Sequence, residues 1–287
     1  MQKTEEKSSR SAEGLYKFFI YFVLILLAVT IIVPVAWVFM ASIKQNSEFY
    51  GNPWALPAGF YWQNFVNAWN GAKMGEYMLN SVVVTALALV LLLLIALPAA
   101  YCLSRFRFKG RKLLQNLSVT VNLFPGVLAM IAVYFVLKYM NLTNSYAGLI
   151  MVYAGSSGLG YLICKGFFDT VPVALREAAK LDGASEARIF FQIVIPMSRP
   201  ILVYTIISSF LTPWTDFVVA KMILNSGVSS DWTVAIGLYN MLQKALVNSY
   251  FSRFCAGGVL VAVPISILFV IMQKFYVEGI TSGAAKG

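Results

Sequence analysis

Apolar positions along this chain gather into six long runs, at about 16–42, 80–101, 113–137, 146–164, 201–224 and 256–275, divided by polar or mixed stretches. Each approaches or exceeds the roughly 20 residues that an α-helix needs to cross a hydrocarbon core. The pattern predicts an all-α membrane protein with six transmembrane helices. Residues 1–15 are polar and of mixed charge, which predicts a mobile tail, and 277–287 form a second tail on the same side. The first run is too long for the apolar core of a signal peptide and has no small-x-small cleavage pattern before Lys44, so it reads as a retained anchor. Residues 43–79 carry Trp54, Phe60, Tyr61, Trp62, Phe65 and Trp69, aromatics suited to an outer membrane interface. Pro125 inside the third run predicts a bent helix, and residues 225–255 read as an outer loop.

One polar stretch, 165–200, differs from the others because it is long and itself patterned. Asp169 or Thr170 can supply a cap oxygen, Pro172 suits a first turn, and Val173 to Leu181 then predicts a short amphipathic helix. Glu177 and Lys180 stand at i, i+3, where opposite charges can pair. Gly183 ends the helix, since glycine enters the left-handed region without a Cβ clash, and Ser185 can cap a second helix carrying Glu186 and Arg188. The product is a compact helix–turn–helix elbow.

Composition supports the membrane reading: 59% of the 287 residues are hydrophobic and 12% charged, and mean hydropathy is +0.74. Soluble domains are about a quarter charged. The net charge of +10 comes from Lys and Arg scattered through short loops, with no basic domain to hold a nucleic acid. Of the 22 Lys and Arg, 16 fall on the side of the two tails, the 105–112 turn and the elbow, and 6 on the other. By the positive-inside rule the side with 16 is cytoplasmic. With no His, and with Cys102, Cys164 and Cys255 far apart, neither a metal site nor a disulfide framework is written here; the cysteines are expected as small buried residues.

In the elbow, Glu177-Ala178-Ala179 is followed by three residues, Gly183, nine residues, and Ile193-Val194-Ile195-Pro196. This resembles the EAA signature of the permease subunit of binding-protein-dependent ABC importers, with Ile195 where that family usually has Leu. Further stretches are similar to the maltose-type, carbohydrate-importing branch of the family: Arg105-Phe106-Arg107-Phe108-Lys109-Gly110, Asn64-Phe65, and the terminal 279–287 segment. The resemblance covers nearly the whole chain. It implies the type I importer fold and a heterodimer with a second related permease. It also implies two cytoplasmic ATPase subunits, an extracytoplasmic sugar-binding protein, and an inner-membrane location with both termini inside. Carried over, Glu177, Ala178, Ala179, Asp182 and Gly183 would form the coupling helix that meets the ATPase. The C-terminal tail would be a second contact, and the stretch near Gln243 to Ser249 would lie toward the binding protein.

No G-x-x-x-x-G-K-[ST] loop is present, and the Gly-rich run from Gly155 to Gly160 lacks the Lys. The chain is therefore expected to be a non-catalytic subunit, with ATP and Mg held by its partners and no cofactor of its own. Within the spans Asp216 stands out, because an ionisable group at a helix centre costs about 2.5–3.5 kcal/mol on insertion scales. One reading places Asp216 with Trp214, Asn122, Tyr153, Ser156 and Ser157 along a translocation path, where aromatics and hydroxyls meet a sugar. The other has Asp216 capping a helix break near Pro213 or pairing with Lys221. Another solute, such as an amino acid or polyol, is an alternative cargo. An ion-coupled secondary transporter is a weaker one, since no internal repeat is visible and one midspan carboxylate is little equipment.

Overall fold

The computed structural model describes the backbone of residues 2–123, 126–156 and 160–284, and their side chains apart from 2–13, 15, 127, 244–249 and 276–284. The chain is 82% helical, without strands among the described residues. Among the described residues three helices are long and apolar enough to cross a membrane unbroken: Tyr16–Ser42, Met74–Arg105 and Tyr250–Phe275. Three bent pairs bring the count to as many as six if each pair is one span.

The chain divides into two compact units, 1–71 with 241–260, and 72–240 with 261–287. In the first, α1 (Gln2–Ser42) is helical from Gln2 through the stretch expected as a mobile tail, since a nucleated apolar helix propagates at little cost. Its membrane-length window buries nothing against the rest of the chain, as suits a helix meant for hydrocarbon or a partner. The loop after it is tied down by polar contacts. Lys44, 1% exposed, donates from Nζ to the carbonyls of Asn52 (3.4 Å) and Pro53 (3.1 Å) beside α2 (Asn46–Gly51). Asn64 Nδ2 donates to the carbonyls of Ser42 (2.9 Å) and Lys44 (2.7 Å). Phe49 stacks on Phe251 at 4.5 Å and meets Trp37 edge-on, while Trp54, Phe60, Trp62 and Trp69 stay exposed.

The second unit is built around α3 (Met74–Arg105), longer at both ends than the predicted span. Ser81, Thr85, Ala88, Leu92, Ala96 and Ala100 are buried at three- and four-residue spacing, a mostly small-residue column that lets other helices approach closely. After α3 come α4 (Arg111–Leu123) and α5 (Gly126–Tyr139), whose axes differ by 109°. Pro125, where a bend was expected, lies outside the described residues. The fourth run forms α6 (Tyr146–Gly155) and α7 (Gly160–Thr170), at 40° to each other, rather than one straight helix. Both pack on α3, with Leu149, Tyr153 and Ala154 buried from α6 and Cys164 and Phe168 from α7.

The elbow consists of α8 (Val173–Leu181) and α9 (Glu186–Met197), the latter with a π-helical turn at Phe190–Val194. It leads at 82° into α10 (Arg199–Thr215). The fifth run was expected as one helix to 224. Instead α10 ends at Thr215, and α11 (Val218–Ile223) starts afresh after Asp216 and Phe217. Pro213 removes one backbone donor, and the Asp216 carboxylate takes the N–H groups of the next turn. The 225–255 region is more helical than the expected loop, with α12 (Val234–Met241) and then α13 (Lys244–Ala284), which kinks at Tyr250. Cys164 and Cys255 are buried as expected, but Cys102 is exposed. It lies on α3 between the buried Tyr101 and Leu103, on the face turned away from the core.

Gly148 tests the packing of the first turn of α6. Ser145 caps this helix, its Oγ accepting from Gly148 N at 3.1 Å and donating to the Leu142 carbonyl at 2.8 Å. A Cβ at Gly148 would strike that carbonyl oxygen, whereas one at Gly258 would meet nothing within 4 Å. Gly148→Ala is expected to destabilise the fold by about 1–3 kcal/mol. Gly258→Ala should be neutral or gain roughly 0.5–1 kcal/mol from helix propensity. Unfolding of the two variants in the same detergent checks the contrast; equal midpoints would remove the steric account.

Candidate functional site

The elbow starts from Pro172, which occupies the N-cap position of α8 without a side-chain cap bond. The expected cap oxygens are engaged elsewhere. Asp169 accepts from Ser104 Oγ at 2.7 Å and from Lys165 Nζ, and Thr170 Oγ1 donates to the Phe167 carbonyl at 2.7 Å. At the far end the helix closes as the sequence suggests. Gly183, at φ +80°, donates its N–H to the Lys180 carbonyl (3.0 Å), and Ala184 N–H returns to the Ala179 carbonyl (2.9 Å). Together these bonds form a Schellman stop, which needs a residue tolerant of positive φ. Ser185 then caps α9, its Oγ accepting from Arg188 N at 3.2 Å.

Glu186 is the hub of the elbow. Its carboxylate accepts from both Nε (3.2 Å) and Nη2 of Arg176, from Lys180 Nζ (2.6 Å), and from the hydroxyl of Tyr101 on α3 (2.6 Å). Lys180 thus pairs with Glu186 rather than with Glu177, its expected partner. The Arg176 guanidinium also sits over the Phe106 ring at 5.5 Å. A second tie comes from Arg105, which donates to the carbonyls of Phe168 and Val171 (2.8 Å). Below these contacts Ile189, Phe190 and Val194 pack with Phe168, Cys164, Ala100 and Tyr101, and Ile193 and Ile195 lie partly buried against the same cluster. The elbow is therefore fastened to the end of α3 by charge and by apolar packing. Sequence spacing missed Glu186, because its partners lie six, ten and eighty-five residues away and follow no helical period.

The outer side of α8 is bare. No α8 residue is buried. Val173, Glu177 and Leu181 form one column at four-residue spacing, and Ala174, Ala178 and Asp182 the next, all exposed, with Leu181 at 89%. Glu177 makes no hydrogen bond or ion pair among the described residues. Of the five residues singled out from the motif, Glu177, Ala178, Asp182 and Gly183 face outward, and Ala179 turns partly inward against the elbow.

The predicted path residues do not form one cluster. Tyr153 and Asp216 meet, the tyrosine hydroxyl donating to Asp216 Oδ2 at 2.8 Å. The same carboxylate caps α11, accepting from Val218 N (3.2 Å), Val219 N (3.4 Å) and Ala220 N (3.0 Å). Lys221 does not pair with it, and lies over the Trp232 ring at 5.3 Å. Trp214 is fully buried, stacked on Phe210 and donating from Nε1 to the Val261 carbonyl at 3.2 Å. Asn122 is exposed on α4 and bonds the Ser118 carbonyl one turn back at 2.8 Å. Ser157 lies outside the described residues.

Tyr153 and Ser156 instead line a cavity of about 170 Å³ together with Tyr204, Ser208, Ser209 and Thr212. Sequence reasoning missed the α10 contribution, although Tyr204, Ser208 and Thr212 repeat every four residues in an apolar helix, a readable polar stripe. Several of these hydroxyls spend their proton on their own helix: Ser156 Oγ on the Tyr153 carbonyl (2.8 Å), Ser208 Oγ on that of Tyr204 (2.9 Å), and Thr212 Oγ1 on that of Ser208 (3.1 Å). Their remaining lone pairs make the wall an acceptor for donor groups of a solute.

Burial alone would raise the Glu186 pKa, but hydrogen bonds from Arg176, Lys180 and Tyr101 outweigh it and lower it to about 2. A depressed carboxylate stabilises the fold fully above its unfolded value near 4.5 and loses that contribution only as pH falls toward 2. Amide protection of α8 is therefore expected to stay level from pH 5 to 8. Glu186→Gln should lower it at every pH in that range by about 1–2 kcal/mol, allowing for the partial exposure of the site. Hydrogen exchange read by mass spectrometry measures both; unchanged exchange in the variant would remove Glu186 as the hub.

Residues 92–281 match the family model described as the binding-protein-dependent transport system inner membrane component. The galactooligosaccharides transport system permease protein of Bacillus subtilis (strain 168) is 32% identical over 94% of this chain and 95% of its own length. The maltodextrin transport system permease protein of Streptococcus pneumoniae (strain ATCC BAA-255 / R6) is 32% identical over 93% and 94%. The diacetylchitobiose uptake system permease protein of Streptomyces coelicolor is 31% identical over 96% and 91%. In fold, the chain is similar to a subunit of a bacterial ABC transporter involved in the import of the acidic polysaccharide alginate, with a TM-score of 0.80 over 92% of this chain and 98% of that one at 19% identity. With a helical membrane fold, a matched family model and relatives aligned almost end to end, the chain belongs to the family of inner-membrane permease components of binding-protein-dependent transport systems.

Proposed function

We propose that this chain is a permease subunit of an ATP-driven carbohydrate importer, with an oligosaccharide as cargo, and that α8 is its coupling helix. The observation that carries the coupling assignment is the two-sided construction of the elbow. One side is fastened to α3 through Glu186, and the other offers Val173, Glu177, Ala178 and Leu181 to a partner. An ATPase groove that accepts this helix meets an apolar and small-residue face with two uncommitted carboxylates, Glu177 and Asp182, for charged hydrogen bonds. Closing of that groove would move α8, α9 and the end of α3 together. The 16-to-6 division of Lys and Arg supports a cytoplasmic elbow and cytoplasmic termini. The missing phosphate-binding loop supports two separate ATPase subunits as the place where ATP and Mg are bound.

Carbohydrate as cargo rests on the printed names of the relatives and on the acceptor-rich cavity beside Tyr153. Polyols share the hydroxyl chemistry and are the second reading. A heterodimer with a second related permease completes the path, and an extracytoplasmic binding protein delivers the sugar to it. Trp214, Asn122 and Asp216 need not touch the cargo in this reading. Trp214 packs, Asn122 stands apart, and Asp216 holds the α10–α11 break open toward Tyr153.

Purification of the chain from its native membrane in mild detergent is expected to recover an ATPase and a second permease, with ATP turnover raised by a sugar-loaded binding protein. Recovery of the chain alone, with uptake driven by an ion gradient, would overturn the proposal. Glu177→Lys and Gly183→Val should each reduce ATP-dependent uptake at least tenfold while leaving membrane insertion intact. The glycine variant acts through the strain of a side chain at positive φ, about 1–2 kcal/mol. Normal uptake in both would sink the coupling role of α8. Thr212→Val keeps the shape of the cavity wall and deletes one acceptor, and is expected to lower sugar uptake several-fold with ATPase association unchanged. Unaltered uptake would remove this cavity from the path.

A further inference from the structure

The turn between α3 and α4 holds four cations within six residues, Arg107, Lys109, Arg111 and Lys112, and none of their side chains has a hydrogen bond or ion pair among the described residues. The elbow stretch treats most of its cations differently, Arg199 being the exception. Arg176 and Lys180 pair with Glu186, Lys165 with Asp169, and Arg188 with Gln192. Both regions lie at the same end of the unit, because Arg105 at the end of α3 donates to the carbonyls of Phe168 and Val171 just before the elbow. A positive-inside bias accounts for the number of charges at this end. It does not require that four be left unpaired side by side, where they repel one another.

Three of these cations also line a concavity. Arg107, Arg111 and Lys112 line a cavity of about 510 Å³ with Phe108, Gly110 and Leu113. Beyond it runs α4, which buries none of its residues. Leu113, Leu117 and Val121 stand at four-residue spacing on one face of α4, exposed by 62%, 50% and 69%, with Leu114 beside them at 49%. A basic pocket thus opens onto an apolar stripe about two turns long.

We infer that this turn binds an anionic phospholipid, its phosphate between Arg107, Arg111 and Lys112 and its acyl chains along Leu113, Leu117 and Val121. The ligand must carry negative charge to relieve the repulsion, and an apolar body to cover the stripe. A phospholipid supplies both in one molecule, and basic pockets beside membrane helices hold such headgroups. A free phosphate or a nucleotide would satisfy the charge and leave the leucines bare. The leaflet follows from the orientation given under the proposed function; the pocket and its chemistry do not depend on the cargo or on the coupling role of α8.

The test uses the full chain with the subunits that co-purify with it, stripped of lipid by detergent exchange and then offered phosphatidylglycerol or phosphatidylcholine. Retained lipid is counted by native mass spectrometry. Selective retention of phosphatidylglycerol, weakened by salt, is expected. Each of Arg107→Gln, Arg111→Gln and Lys112→Gln should reduce that retention about fivefold, the scale of one cation near an anionic surface. Equal retention of the two lipids, or unchanged retention in the variants, would overturn the inference. So would displacement of phosphatidylglycerol by millimolar inorganic phosphate, which would make the pocket a simple anion site. Loss of a protein subunit from the variants with lipid retention intact would overturn it too, by assigning the surface to a protein partner. Lys112 is exposed and its single variant removes no packing, so the test survives if the arginine variants express poorly.

Discussion

In hydrocarbon every backbone N–H and C=O must find its partner within the protein, because water is absent. That constraint accounts for the all-helical chain, and it decides where helices can break. The α10–α11 break shows how. Pro213 removes a donor and the helix stops two residues later, leaving the first N–H groups of α11 without carbonyl partners. Asp216 accepts three of these at once, and the Tyr153 hydroxyl adds a fourth bond to its carboxylate. Of the two readings the sequence left open for Asp216, the cap on a break near Pro213 is the one its hydrogen bonds support. The same carboxylate fixes the break to α6 through Tyr153, next to the hydroxyl-lined cavity.

Close packing is the complementary constraint. Lipid tails are as apolar as leucine, so helices gain little from hiding apolar surface and hold together through contact and hydrogen bonds. The small buried residues of α3 provide contact along its length, and three apolar clusters follow it from the α6 end to the elbow. By contrast α1 and α4 are lined with exposed apolar side chains that have no counterpart in the chain. In water such surfaces would be a liability; in hydrocarbon they are not.

The apolar runs as helical and the turn chemistry of the elbow were legible because each depends on local rules. Apolar runs set the helices, and Gly183 and Ser185 set the Schellman stop and the cap that follows it. What stayed hidden depends on distance in the sequence. Nothing local says that Glu186 would gather Arg176, Lys180 and Tyr101, so the pairing rule chose Glu177 and Lys180 instead. Nothing local says that Trp214 would turn into the core, whereas the four-residue repeat of Tyr204, Ser208 and Thr212 was a local signal that went unread. The break after Thr215 was half legible. A cap by Asp216 near Pro213 was one of two readings the sequence offered, and the three N–H groups that donate to its carboxylate select it over pairing with Lys221.

The distribution of charge divides the polar end of the second unit into two kinds of surface. Where cations are neutralised within the chain, at Glu186 and Asp169, the structure gains a rigid joint between α3, α7 and the elbow. Where they are not, the chain presents a surface that needs an outside anion. The same logic separates Glu186 from Glu177 and Asp182 in the motif region. Glu186 is consumed by three partners and can transmit force only as part of the scaffold. Glu177, on the exposed side of α8, makes no hydrogen bond or ion pair among the described residues. The coupling role proposed for α8 needs one side fixed and one side available, and the nine residues of α8 present both.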